Sequence, residues 1–239
     1  MCFYLCINLY ATATVRTSMK SKPTRELATN MSKNKTMHAL YFNGLTSGHI
    51  RKRERLAMRY LAKHGIEVVP AQVNWRHPEP FANLLSRMTN LAQSELNKHG
   101  SLLLTGTSAG GSLALNVFAN LRHNQNVAVV TMCARLHDAK LPWWDRRTMK
   151  RMAYIGTPKE SKTFMDSVEH CTNVAIPSLN KTDKQRITII KQWMDDVVPR
   201  ATMDIPGAQT ITVPAIGHGW GMAMAVRLLP VVIEHTCTN

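Results

Sequence analysis

The sequence predicts an α/β domain: a mainly parallel sheet of about six strands with helices on both faces. Three observations predict it. From Met37 onward, short apolar runs alternate with longer stretches of helical periodicity. The runs are apolar almost throughout, as in strands buried on both faces of a parallel sheet. Glycines stand where the helical stretches stop.

In chain order, the first strand is His38-Ala39-Leu40-Tyr41-Phe42, ending at Asn43-Gly44, with a loop over 45–48. A helix then runs to about His64, closed by Gly65. Ile66–Pro70 is the second strand. A helix from Phe81 to Lys98 ends at Gly100. Ser101–Thr105 is the third strand, and Leu113, Val117 and Leu121 recur after it at helix spacing. Val127–Val130, Ile187–Ile190 and Thr210–Val213 are the remaining strands, and a last helix covers about Trp220 to Glu234. Right-handed crossovers fix the winding, and ligands in such sheets bind beyond the carboxyl ends of the strands.

Residues 136–186 are too long for one crossover helix and carry Trp143, Trp144, Met152 and several prolines. They form either extra helices packed on the sheet or a short helical lid whose apolar side chains line a substrate pocket.

The 239 residues are 44% hydrophobic and 19% charged, which suits a sizeable core. No apolar run approaches the length needed to span a bilayer. The net charge is +15. The first 36 residues hold six basic side chains against Glu26 alone, and the clusters Arg51–Arg55 and Arg146–Arg151 supply more. With no zinc-finger spacing, RNA-binding aromatic signature or helix-turn-helix, these clusters read as solvated faces, and nucleic acid is not the expected partner. Weak association with a membrane surface, through the N-terminus or the basic patches, is the remaining use of this charge. Residues 1–36, apolar and then basic, match neither a secretory signal nor an amphipathic transit peptide; they read as an unstructured extension before a domain spanning 37–239. Cys2, Cys6, Cys133, Cys171 and Cys237 are odd in number and widely spaced, which argues against a disulfide framework or a structural zinc site and for a reducing, cytoplasmic setting.

The chemistry-bearing stretch is 101-SLLLTGTSAGGSLALNVFANL-121. Strand runs into helix through Gly106-Thr107-Ser108-Ala109-Gly110-Gly111. A G-x-S-x-G joint in that context forces the serine into a strained turn and presents its Oγ at the head of the sheet. The Ala109 N–H and the helix N-terminus face the same space, where an oxyanion would form. The G-K-[ST] ending of a phosphate loop is absent. A serine needs a base, and the base an orienting acid. Asp195-Asp196 follows the fifth strand and Gly217-His218-Gly219 the sixth. Order Ser, Asp, His, each after a different strand, makes Ser108, His218 and either aspartate a candidate triad.

With these pieces assembled, the sequence resembles the α/β-hydrolase superfamily in a minimal, serine esterase- and lipase-like version, from about residue 37 to the C-terminus. GTSAGG, DDVVP and GHG carry the resemblance, with Phe42-Asn43-Gly44 where the family usually has His-Gly. It implies the α/β-hydrolase fold, with Ser108 as nucleophile and His218 as base. The acid would be Asp195, which precedes Val-Pro by the family's three residues, with Asp196 as the alternative. The oxyanion hole would come from the backbone N–H groups of Leu45 and Ala109. The implied reaction is hydrolysis of a carboxylic ester or thioester, with no cofactor or metal; the alternatives are an amidase or peptidase using the same triad and a non-catalytic binding protein. Three departures stand out: Asn43 for the usual histidine, Gln192 for the glycine often found before the acid, and no strand ahead of Met37.

Overall fold

In a computed structural model of the chain, residues 36–46, 48–75, 79–137 and 162–237 are described. The N-terminal extension lies outside the described residues, as do Trp143, Trp144 and Met152.

The strands are β1 Met37–Phe42, β2 Ile66–Pro70, β3 Leu102–Thr107, β4 Val127–Met132, β5 Ile187–Met194 and β6 Gln209–Ile216. They form one sheet in the order β2-β1-β3-β4-β5-β6, and every pairing is parallel. The chain steps outward from β1 to β2, returns past β1 to β3, and then proceeds strand by strand to β6. The switch point therefore lies between β1 and β3, where Phe42 pairs with Gly106. Four strands run beyond their expected ends. The added residues include Thr107, Thr131, Lys191 and Gln192, all buried although polar. The ladder satisfies their backbones, and Lys191 meets Asp204 at 2.5 Å.

The helices are α1 Lys52–Ala62, α2 Phe81–His99, α3 Ala109–Leu121, α4 Lys162–His170, α5 Lys181–Gln185 and α6 His218–Cys237. Side-chain alternation along the strands feeds two cores. Leu102, Leu104, Val127, Val129, Ile187 and Ile189 join one with α2 and α3. Leu103, Val130, Met132, Ile190, Ile211 and Val213 join the other, with Leu61 of α1 and Met224, Ala225 and Leu229 of α6. Among the described residues no helix is long and apolar enough to cross a membrane.

The described part of the 136–186 segment packs as crossover helices. A π-helical turn, Cys171–Ala175, and a further turn, Ile176–Ser178, continue α4. Its contact with α3 is a polar seam. Ser112 and Ser167 hydroxyls lie 2.9 Å apart, and Asn116 Nδ2 donates to the Ser167 carbonyl at 2.9 Å. Asn116 Oδ1 faces His170 Nδ1 at 2.8 Å, and Cys171 Sγ donates to the Ser112 carbonyl at 3.1 Å. An amide oxygen only accepts, so His170 carries its proton on Nδ1. Arg186, buried just before β5, donates to the carbonyls of Asn124 and Val127 and to Asp183, fixing where β5 enters the sheet.

Burial favours the neutral forms of several groups, and this sets a pH window. Burial lowers the pKa of His38, His99 lowers it further, and Glu67 and Glu95 oppose; burial alone lowers that of His170. The unfolded chain therefore takes up protons first, and stability is lost as pH falls below the ordinary histidine value of 6.5. Burial raises Cys133, Cys171 and Tyr41, so the unfolded chain releases protons first and stability is lost as pH rises past the ordinary thiol value of 9.0. The urea midpoint should be highest between these limits, and His38→Asn should flatten the acid limb; an unchanged limb would refute that assignment.

Candidate active site

Ser108 links β3 to α3 with φ 52° and ψ −122°, a strained backbone for a residue with a side chain. Close approach of three chain segments demands the glycines around it. A Cβ on Gly106 would lie 2.3 Å from the Gly110 carbonyl oxygen, and one on Gly110 2.1 Å from that of Phe42. One on Gly111 would lie 2.2 Å from Ala134 Cβ. The turn is held from the side by Ser108 N–H donating to the Met132 carbonyl at 3.0 Å. Buried Ala109 opens α3, so the helix N-terminus faces the strand ends.

The loop after β1 stands against this turn: a Cβ on Gly44 would touch Ser108 Cβ at 3.4 Å. Asn43 holds the loop. Its Nδ2 donates to Thr46 Oγ1 at 2.7 Å and to the Val73 carbonyl at 2.8 Å, and its Oδ1 accepts from Val73 N–H at 2.7 Å. Trp75 Nε1 donates to the Asn43 carbonyl at 3.0 Å. Asn43 thus ties the Gly44-Leu45 loop to the chain beyond β2. Asn43→Ala would leave both Val73 groups unpaired in a buried place, an expected loss of about 2–4 kcal/mol in urea unfolding. A loss below about 1 kcal/mol would deny the anchoring role.

Two strands further along, the aspartates separate. Asp195, its side chain 1% exposed, accepts on Oδ1 from the N–H groups of Val197 at 2.7 Å and Val198 at 2.8 Å. Its Oδ2 accepts from His218 Nδ1 at 2.8 Å. Asp196 instead accepts the backbone N–H of His218 on Oδ1, at 2.7 Å. One aspartate aligns the ring and the other the main chain. That second bond, with Gly221 N–H on the Gly217 carbonyl at 3.0 Å, starts α6 at His218, two residues before the expected Trp220. A carboxylate partner places the imidazole proton on Nδ1 and leaves Nε2 as an acceptor. The His218 side chain is 12% exposed.

Two further residues belong to this constellation. Gln192, fully buried on β5, donates through Nε2 to Asp195 Oδ2. Cys133, at the end of β4 with φ 50°, is buried, and its thiol is pushed up by burial and then by the charge of Asp195. Neither follows a motif: only the fold sets Cys133 between the serine and aspartate strands. Trp193, Met194, Ile216 and Trp220 are all more than half exposed around the Asp195–His218 pair. A groove of about 350 Å³ lined by Phe81, Leu85, Thr89, Asn120 and His170 lies between α2, α3 and α4, and none of Ser108, Asp195 and His218 lines it. Among the described residues no group of three or more His, Cys, Asp or Glu is placed to hold a metal.

No family model matches the chain, and no curated protein matches it in sequence. Its architecture does match solved structures. Est1E from Butyrivibrio proteoclasticus with bound ferulic acid superposes with a TM-score of 0.60 at 12% identity, over 88% of this chain and 94% of that one. The lipase BlEst2 from Bacillus licheniformis in its mature form gives 0.58 at 13% identity, over 87% and 94%. The monoacylglycerol lipase of Paleococcus ferrophilus gives 0.53 at 14%, over 84% and 96%. The chain has the α/β-hydrolase fold.

Proposed function

We propose that this protein is a serine hydrolase that cleaves carboxylic esters or thioesters. The observation that carries the reading is the Asp195–His218 hydrogen bond at the strand ends, in the same fold that sets half-buried Ser108 on a glycine-walled turn. Ser108 Oγ attacks the acyl carbonyl while His218 Nε2 takes its proton. Asp195 steadies the imidazolium without itself becoming protonated. The N–H groups of Leu45 and Ala109 receive the oxyanion. The proton passes from His218 to the departing alkoxide or thiolate, leaving an acyl group on Ser108. Water, activated by the same imidazole, then releases the acid and restores the hydroxyl.

The esterases and lipases among the structural neighbours favour ester substrates, and the exposed Trp193, Met194, Ile216 and Trp220 favour an apolar substrate. Free Cys133 and Cys171 suit a reducing, cytoplasmic setting.

The test is covalent labelling by a fluorophosphonate, with the adduct mapped by mass spectrometry. A single adduct on Ser108, lost together with hydrolysis of p-nitrophenyl butyrate in Ser108→Ala, is the expected result. A folded protein that takes no adduct, or takes it elsewhere, refutes the mechanism and leaves the fold serving binding alone.

A further inference from the structure

We infer that Gln192 is a positioning residue for the catalytic pair: it anchors the oxygen of Asp195 that orients His218. The inference rests on the hydrolase reading above and extends its triad by one side chain.

The four donors around Asp195 divide two and two. Oδ1 takes the N–H groups of Val197 and Val198. Oδ2 takes His218 Nδ1 and Gln192 Nε2. A carboxylate held at one oxygen can still swing the other, because its terminal torsion is broad. The valine amides fix only Oδ1. Gln192 fixes Oδ2, and so fixes the direction from which the imidazole is held. A carboxamide suits this task. It donates without a positive charge that would compete with the imidazolium for the carboxylate. Its orientation is unambiguous, since an acceptor-only carboxylate can take only its NH2 end.

The surroundings are shaped for this side chain. Gln192 is 0% exposed, and its Oε1 is buried without a hydrogen-bond partner. A buried amide half-satisfied in this way opposes folding, which argues that the other half is retained for what it does to Asp195. Gly221, in the first turns of α6, makes the room. A Cβ there would lie 2.5 Å from Gln192 Cδ, 2.6 Å from Oε1 and 2.9 Å from Nε2. The irregularity in the β5–β6 register falls between Gln192 and Met194, immediately before the aspartate, where a bulge re-aims the chain. Gln192 and Gly221 thus form a matched large-and-small pair across β5 and α6, with the Asp195–His218 bond beside it.

The experiment measures kcat and KM for p-nitrophenyl butyrate, the fluorophosphonate inactivation rate and the urea midpoint in Gln192→Met, Gly221→Ala, Gln192→Ala and the double variant Gln192→Ala/Gly221→Ala. Gln192→Met and Gly221→Ala should each lower kcat and the inactivation rate about 10- to 100-fold with KM nearly unchanged, the cost of a misplaced catalytic group. Once Gln192 is shortened, the methyl group that Gly221→Ala adds finds space, so the double variant should be no slower than Gln192→Ala alone. In the wild-type protein, the side-chain amide protons of Gln192 should show a nuclear Overhauser effect to the His218 Nδ1 proton, a readout independent of any variant's folding. Reactive wild type with unchanged kcat in the variants, a lowered urea midpoint alone, or no such Overhauser contact overturns the positioning role. Unreactive wild type overturns the hydrolase reading and this inference with it.

Discussion

Asp195→Asn should lower kcat/KM for a small ester about 10⁴-fold. The same change at Asp196 should cost about tenfold or less. The reason is tautomeric. The N–H groups of Val197 and Val198 cannot turn, whereas Gln192 can present its unpartnered Oε1. An asparagine at 195 therefore keeps its carbonyl on the valine amides and turns its NH2 toward His218 Nδ1 and Gln192. The ring must then accept at Nδ1 and carry its proton on Nε2, where it cannot take one from Ser108. An asparagine at 196 keeps an oxygen for the His218 backbone N–H, so the start of α6 survives. Steady-state kinetics and fluorophosphonate inactivation of the two folded variants provide the comparison. Equal losses, or a larger loss at 196, would move the acid to the other aspartate.

Gly110→Ala should destabilise the fold by about 3 kcal/mol or more. Its Cβ would sit 2.1 Å from the Phe42 carbonyl oxygen and 2.6 Å from the carbon. Those are backbone atoms of a central strand, which cannot rotate away as a side chain end could. Relief would require α3 to back off β1, parting the Ser108 turn from the Gly44-Leu45 loop. Against a typical stability of about 5–15 kcal/mol, this loss should be visible as reduced soluble yield and a lowered urea midpoint. Gly219 provides the contrast. A Cβ there meets nothing within 4 Å, and alanine in a helix gains about 0.5–1 kcal/mol over glycine. If both substitutions shift the midpoint alike, the close approach at Gly110 is not what requires glycine.

The sheet was legible because strand signals are local. Leu102-Leu103-Leu104 and Val127–Val130 announce strands buried on both faces, and Gly100 marks its helix end with a left-handed φ of 76°. The strand ends were less legible. Lys191 and Gln192 look like the start of a loop until Asp204 and Asp195 are seen to accept from them inside the fold. The choice between Asp195 and Asp196 was open to residue reading, because adjacent aspartates differ only in where the turn points each carboxylate. A family pattern favoured Asp195, but its bond to the His218 ring is a fact of packing. Gln192 registered only as a departure from a pattern. Its fit depends on Gly221, on a different element and far along the chain, and no spacing rule links the two.

The polar seam between α3 and α4 has a consequence for how the chain can be re-engineered. Before residue 138, Leu136 is held by its N–H on the Thr202 carbonyl at 2.9 Å. After residue 161, Thr163 donates to the Glu79 carbonyl at 2.7 Å, and Ser167 and His170 are bonded to the serine-bearing helix. Both splice points are therefore moored to the framework independently of whatever joins them. A foreign segment of another length would enter as a cassette, at a closure cost of about 0.6 kcal/mol per doubling of length. The length and composition of the chain between 138 and 161 could then be changed without moving the serine, aspartate or histidine.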